Sequence, residues 1–343
     1  MNPDQLIYIL SGHKVYIQTH NYPDPDAIAS AFGLQCFLKH HGIEADICYD
    51  GSIERMSAKK MFSVFGIKAV SASGLTDMTS EDYIVLVDSQ KYNANVTDFI
   101  GDEVACIDHH PTYFSCDYKY SDIRMVGACA SLIAGYFHET DTPMLANVAA
   151  ALAYGIKMDT DDFIRGATET DVDMFDFVFK QADKAMISAM YSNVMELADL
   201  NAYSAAIESI RIYEDVGFAY IPFQCPDAMV AIISDFILSM EIVRISVVYA
   251  SRPDGVKFSV RSEVTDRVDA GDLVKKALSG KGSGGGHKQM AGGFLPVSTN
   301  EAVKRSEIEQ RFMKLIYPQL DIQSPLTAES VPVKREGVAA VVD

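Results

Sequence analysis

Apolar runs of four or five residues recur through the first half of the chain, separated by longer segments whose apolar positions repeat at helical spacing. Residues 15–19 (VYIQT), 45–49, 83–87 and 104–107 read as strands, and 27–40, 57–65, 128–138 and 144–154 as helices. Strands alternating with helices imply an α/β unit with a mostly parallel sheet, whose ligands sit at the carboxyl ends of the strands. From residue 171 the rhythm changes. Met174, Phe175, Val178, Phe179, Ala182 and Met186 fall at helical spacing, so 171–200 reads as one helical linker. A second β-containing region follows, with strands expected at 207–213, 218–222, 243–249 and 257–261 and helices at 228–239 and 270–278. The expected division is therefore a first domain over 1–170, a helical linker over 171–200, a smaller mixed α/β domain over 201–322 and a loose tail over 323–343.

Composition agrees with two packed domains: 343 residues, 48% hydrophobic and 22% charged. No apolar run is long enough for a bilayer. The nearest, 229–250, is broken by Asp235, Glu241 and Arg244. The first ten residues hold no basic region and no cleavage site, so a cytoplasmic protein is expected. Cys36, Cys48, Cys106, Cys116, Cys129 and Cys225 lie singly, which predicts free thiols rather than disulfides or a thiolate zinc site.

Charge narrows the choice of partner. With 29 Lys+Arg against 47 Asp+Glu the formal net is −18, the wrong sign for a protein that tracks long duplex nucleic acid through its phosphates. Residues 250–317 are the exception, with 12 basic and 8 acidic side chains. A small phosphorylated ligand remains compatible.

Candidate chemistry gathers where the strands end. The first runs into His20-Asn21-Tyr22-Pro23-Asp24-Pro25-Asp26, the third ends in Asp88, and the fourth in Asp108-His109-His110. Pro25 biases Asp24 towards extended chain, in which residues i and i+2 face the same way, so Asp24 and Asp26 can converge. The alternative is a turn in which Asp26 caps the helix. A further acid follows the 144–154 helix, with Asp159, Asp161 and Asp162 all available. Carboxylates mixed with imidazoles suit a cation such as Mn²⁺, and crowded carboxylates would repel without cations.

HNYPDPDA, VDS, IDHH and GIKMD resemble, in this order, the four motifs of the DHH phosphoesterase superfamily. Arg261-Ser262, then Gly284-Gly285-Gly286-His287 and Ala291-Gly292-Gly293-Phe294, resemble the signature of the DHH-associated C-terminal domain. The resemblance spans roughly residues 10–320. It departs from the pattern at Met158 and Asp161, where the fourth motif usually has Thr and Gly.

The resemblance implies two divalent cations, Mn²⁺ preferred and Mg²⁺ the alternative. His20, Asp24 and Asp88 would hold one, and Asp26, Asp88, His109 and Asp159 the other, with Asp88 as the bridge. Such a pair activates hydroxide and offsets phosphoryl charge. Asp108 would orient a histidine or serve structure alone, and His110 would donate to the phosphate. Arg261, Ser262, Gly285, Gly286 and His287 would bind substrate.

In this size class the resemblance points to the bacterial branch of nanoRNases and pAp (3′-phosphoadenosine 5′-phosphate) phosphatases. Its substrates would be short oligonucleotides, pAp or dinucleotides. A cyclic or linear dinucleotide phosphodiesterase, an inorganic pyrophosphatase or exopolyphosphatase, and a non-catalytic nucleotide-binding sensor are the alternatives. A homodimer is open, and neither a membrane nor long duplex nucleic acid is expected as partner.

Overall fold

The computed structural model describes residues 2–53, 56–192, 195–296 and 304–319. The expected tail at 323–343 lies outside them. Among the described residues no helix is long and apolar enough to cross a membrane. The chain divides into two compact units, residues 1–195 and 196–343.

The first unit opens with helix α1 (Pro3–Leu10) and continues β1 (Val15–Gln18), α2 (Pro25–His40), β2 (Ala45–Tyr49), α3 (Met56–Phe65), β3 (Ala69–Ser71), β4 (Tyr83–Val87), β5 (Asp102–Asp108), β6 (Tyr120–Ile123), α4 (Cys129–Glu139), α5 (Ala146–Asp159), α6 (Glu169–Gln181) and α7 (Lys184–Tyr191). Its six strands, all parallel, run in the order β3-β2-β1-β4-β5-β6. The edge strands β3 and β6 were not expected. They are three and four residues long and half-buried in part, so they carry little apolar signal.

Alternation within the strands sends side chains to two faces. Val15, Ile17, Val85, Val87, Ala105 and Ile107 enter the core that the helices build, whereas Tyr16, Cys48, Ile84 and Leu86 meet loop residues such as Leu75, Val96 and Phe99. Asp183 caps α7 through the amides of Ala185 and Met186, which breaks the 171–200 stretch expected as one helix. Val178, Ala182 and Met190 pack into the first core, so α6 and α7 are part of that unit. Helix α5 runs on to Asp159, past the expected end at 154: a Cβ on Gly155 would lie 2.8 Å from Ala29 Cβ and 3.3 Å from Ala130 Cβ, so this glycine serves close packing inside the helix rather than a turn.

The second unit comprises α8 (Asp199–Ser209), β7 (Arg211–Tyr213), β8 (Val216–Ile221), α9 (Asp227–Leu238), β9 (Ile245–Arg252), β10 (Gly255–Ser262), α10 (Ala270–Leu278), β11 (Ser283–Gly286), β12 (Met290–Pro296) and α11 (Arg305–Ile316). Residues 207–209, expected to begin a strand, close α8 instead, where Ala202 and Ala206 pack into the core. The sheet order is β11-β12-β10-β9-β8-β7, mixed because among the described strands only the β8/β9 pair is parallel. Ile245, Val247 and Tyr249 face α10 and α11, and Val248 and Ala250 face α8 and α9. Two apolar layers thus enclose one sheet.

Candidate metal centre and glycine hairpin

Strands β1, β4 and β5 lie side by side, so the segments that leave them meet at one edge of the first sheet. Asp24 is the N-cap of α2: its Oδ1 accepts from the amides of Asp26 (3.0 Å) and Ala27 (3.1 Å), with Pro25 in the first turn. The capping role weighed for Asp26 therefore falls to Asp24. Asp26 is buried and accepts instead from the first amides of α4, Cys129 at 2.7 Å and Ala130 at 2.9 Å. Asp88 follows directly on β4 with φ 56°, a left-handed turn that a non-glycine residue adopts at some cost. Its amide donates to the Ile107 carbonyl, which ties the turn to β5.

The side chains meet in overlapping groups whose ligand atoms lie within 4.8 Å of one another: His20, Asp24 and Asp88; Asp26, His109 and Asp159; Asp88, Asp108, His109 and His110. Asp88 faces both imidazoles. Its Oδ2 lies 3.6 Å from His20 Nε2 and its Oδ1 lies 3.3 Å from His109 Nε2. His109 Nε2 is also 3.4 Å from Asp159 Oδ2. Among the three acids of 159–162, Asp159 joins the cluster, while Asp162 pairs with Lys157 at 2.8 Å. Both departures from the fourth motif have a structural setting. Met158 packs against the first core, and Asp161 stands at φ 49°, where glycine would be unstrained.

Electrostatics follow from crowding. Burial raises the carboxyls of Asp26 and Asp88 above the usual range, and neighbouring carboxylates add to the rise. Burial and then Asp24 lift Asp159 to about 6. Burial opposes charge on the two imidazoles but is outweighed by their acidic neighbours, Asp24 first for His20 and Asp88 first for His109. They reach about 9 and about 11. Asp88 Oδ1 is buried and accepts no hydrogen bond among the described residues. An orphaned oxygen among carboxylates and imidazoles is a donor set that divalent cations fit, and cations would remove the repulsion.

Beside the cluster, Asp108 is buried and accepts from the His109 amide at 2.8 Å and from Gln90 Nε2 at 2.7 Å, and His110 Nδ1 lies 2.9 Å from it. Burial alone would raise its carboxyl. The bond and charge of His110, with the bond from Gln90 and the charge of His109, together outweigh that and hold it below the usual range. Asp108 in turn raises His110, whose side chain is about half exposed. Gln90 also donates to the His110 carbonyl at 3.0 Å. Sequence reading missed Gln90, although it stands two residues beyond Asp88. It also missed Arg165, whose Nη2 donates to the Asp159 carbonyl at 2.7 Å.

The expected substrate residues of the second unit separate into two kinds. His287 and Gly285 are exposed, and among the described residues, its chain neighbours aside, no heavy atom lies within 4 Å of a Cβ built on Gly285. The hydroxyl of Ser262 is buried and donates to the Val268 carbonyl at 2.8 Å. Arg261 Nε donates to Asp235 Oδ1 at 2.6 Å. The glycines form a strand paired with β12, and two of them answer to packing. A Cβ on Gly284 would lie 2.3 Å from Val274 Cγ1. One on Gly286, at φ 151°, would lie 2.5 Å from the Met290 carbonyl oxygen.

Two family models match, one to each unit. The DHH family N-terminal domain covers residues 14–156 and the DHHA1 domain covers 214–314. An uncharacterised protein of Methanocaldococcus jannaschii is 28% identical over 300 residues, 87% of this chain and 61% of that protein. The cyclic-di-AMP phosphodiesterase PdeA of Listeria monocytogenes is 24% identical over 320 residues, 87% of this chain and 47% of PdeA. A probable manganese-dependent inorganic pyrophosphatase of Streptococcus thermophilus is 23% identical over 150 residues, 43% of this chain and 48% of that protein. The chain thus spans about half to three fifths of the length of these curated relatives. Among solved structures, an exopolyphosphatase-related protein from Bacteroides fragilis shares the fold with a TM-score of 0.71 at 16% identity, over 91% of this chain and 96% of that one. With both domains present in this order, the chain belongs to the DHH superfamily and carries the DHH-associated C-terminal domain.

Proposed function

We propose that the protein is a metal-dependent phosphoesterase that hydrolyses short oligonucleotides, pAp or both. The observation that carries the reading is the convergence of His20, Asp24, Asp26, Asp88, His109 and Asp159 at one sheet edge, with Asp88 facing both histidines. His20, Asp24 and Asp88 would hold one divalent cation, and Asp26, Asp88, His109 and Asp159 a second. Manganese fits this donor set, and a relative's name specifies it. Bound there, the ions supply positive charge for the phosphoryl oxygens and make water more acidic.

The chain's own residues do the rest. Asp108 holds His110 through Nδ1 and favours its protonated form, in which Nε2 is free to donate a hydrogen bond to the substrate phosphate. Gln90 keeps Asp108 and the His110 backbone in register. Arg261, Ser262, Gly285, Gly286 and His287 belong to the proposal as the substrate-binding set. Arg261, Gly285 and His287 would touch the ligand, and Ser262 would hold the loop that follows β10.

The carboxylate cluster alone would equally suit pyrophosphate. The matched DHHA1 domain, with its exposed Gly285 and His287, favours a larger ligand such as a nucleotide. A second reading, a cyclic-dinucleotide phosphodiesterase, is favoured by the PdeA similarity, which runs across both units. The test is a hydrolysis panel with Mn²⁺ or Mg²⁺: pAp, di- to pentanucleotides, cyclic di-AMP and pyrophosphate, with Asp88→Ala as control. Turnover of short oligonucleotides or pAp is the expected result. Turnover of cyclic di-AMP alone would select the second reading, and turnover of pyrophosphate alone, or of nothing, would sink both.

A further inference from the structure

Four consecutive backbone amides at the start of α4 are divided between two buried carboxylates. Cys129 and Ala130 donate to Asp26, as described above. Gly127 donates to Asp171 Oδ2 at 2.7 Å and Ala128 to Asp171 Oδ1 at 3.1 Å. Asp171 sits in the first turn of α6 and is fully buried. It accepts three more bonds, from Ser131 Oγ at 2.6 Å and from the Thr168 amide and hydroxyl at 2.7 Å each. No salt bridge to Asp171 is found among the described residues, so its buried carboxyl group is held by these five hydrogen bonds, an arrangement in which each lost donor carries a cost.

The segment so anchored touches the candidate metal centre at two points. One end presents the Val126 carbonyl 3.0 Å from His109 Nδ1. If Nδ1 carries the proton and donates there, Nε2 keeps its lone pair for a cation. The other end presents the two amides that grip Asp26. The middle has no slack: a Cβ on Gly127 would lie 2.8 Å from Asp171 Oδ2 and 2.7 Å from Thr160 Cγ2.

We propose that Asp171 is a positioning residue for the metal centre, setting His109 and Asp26 together by pinning segment 126–131. The inference rests on reading the cluster as a metal site. It does not depend on which phosphoester is the substrate.

Asp171→Asn tests it. The substitution keeps the volume but turns one acceptor into an NH₂ group that faces amide donors. Asp122→Asn is the reference: Asp122 is equally buried, bonded to Arg124 and Tyr136, and makes no hydrogen bond to segment 126–131 among the described residues. Mn²⁺ affinity is read by electron paramagnetic resonance titration without substrate, alongside thermal unfolding. Asp171→Asn is expected to weaken Mn²⁺ binding by about 10- to 100-fold, and Asp122→Asn to lower the melting temperature with Mn²⁺ affinity within about twofold of wild type. Saturating Mn²⁺ should restore much of the kcat of Asp171→Asn.

Unchanged Mn²⁺ affinity in Asp171→Asn overturns the inference and leaves the proposed function standing. Wild-type protein that binds no Mn²⁺ overturns both. Weakened binding without turnover of any substrate supports the inference while the functional reading fails. Should Asp171→Asn not fold, Ser131→Ala removes one of the five donors. A two- to fivefold fall in Mn²⁺ affinity then supports the proposal, and no change overturns it.

Discussion

The two units present their candidate residues in opposite ways. In the first, Asp26, Asp88 and Asp108 are buried, Asp26 and Asp108 are held by backbone amides and the Asp88 backbone is tied to β5, so strand and helix termini dictate where the carboxylates point. In the second, His287 and Gly285 are exposed on a hairpin, and Arg261 is engaged by Asp235. A cluster that must hold several like charges needs a rigid frame, because repulsion would otherwise disperse it. A surface that receives a ligand's phosphate or base can wait for the ligand to complete its contacts.

That contrast can be broken most forcefully at Asp88. Asp88→Ala removes the carboxylate common to both candidate ion sets and is expected to lower kcat by about 10³-fold or more in steady-state assays. Arg261→Ala should instead act mainly on KM, by about tenfold, with kcat less affected. Equal kcat losses in the two variants would erase the distinction between frame and surface.

Metal removal probes the first unit's frame. Divalent ions bound only by the folded state should stabilise it by about 2.7 kcal/mol when present at a hundredfold excess over Kd. Chelation is therefore expected to lower the melting temperature of the wild type and to leave that of Asp88→Ala nearly unchanged.

Within the hairpin, Gly284→Ala drives a methyl into Val274 and should cost about 1–3 kcal/mol in denaturant unfolding. Gly285→Ala meets open space and should leave stability within about 0.5 kcal/mol while raising KM. A destabilised Gly285→Ala would show that the whole glycine run serves packing. The smallest effect is expected from Asp235→Ala. The Asp235 side chain is 58% exposed, so loss of the pair should change stability by under about 1 kcal/mol and KM by less than threefold.

Much of the site was legible because its residues lie where apolar runs stop. The carboxyl ends of adjacent parallel strands meet by topology, so His20, Asp88 and His109 could be grouped from pattern. Asp24 and Asp26 were recognised as a pair, but their division of labour was not, since a cap and a buried acceptor differ only in which amides arrive. The amides that reach Asp26 come from Cys129 and Ala130, about a hundred residues away. Gln90 and Arg165 escaped for a similar reason. Gln90 acts through a side-chain contact to the end of β5 and Arg165 through the backbone carbonyl of Asp159, and neither contact leaves a mark in local pattern.

Local sequence by itself determined the strands β1, β2, β4 and β5, the order of the two domains and the residues that end the central strands, because hydrophobic periodicity and turn chemistry are properties of neighbouring residues. Only the tertiary structure decided that α5 continues to Asp159, that α6 and α7 pack into the first core, that Ser262 is spent on Val268, and that Asp171 holds the start of α4. Each of those outcomes depends on a partner distant in the chain. The free energy that selects it comes from packing and from satisfying buried polar groups, which no local pattern encodes.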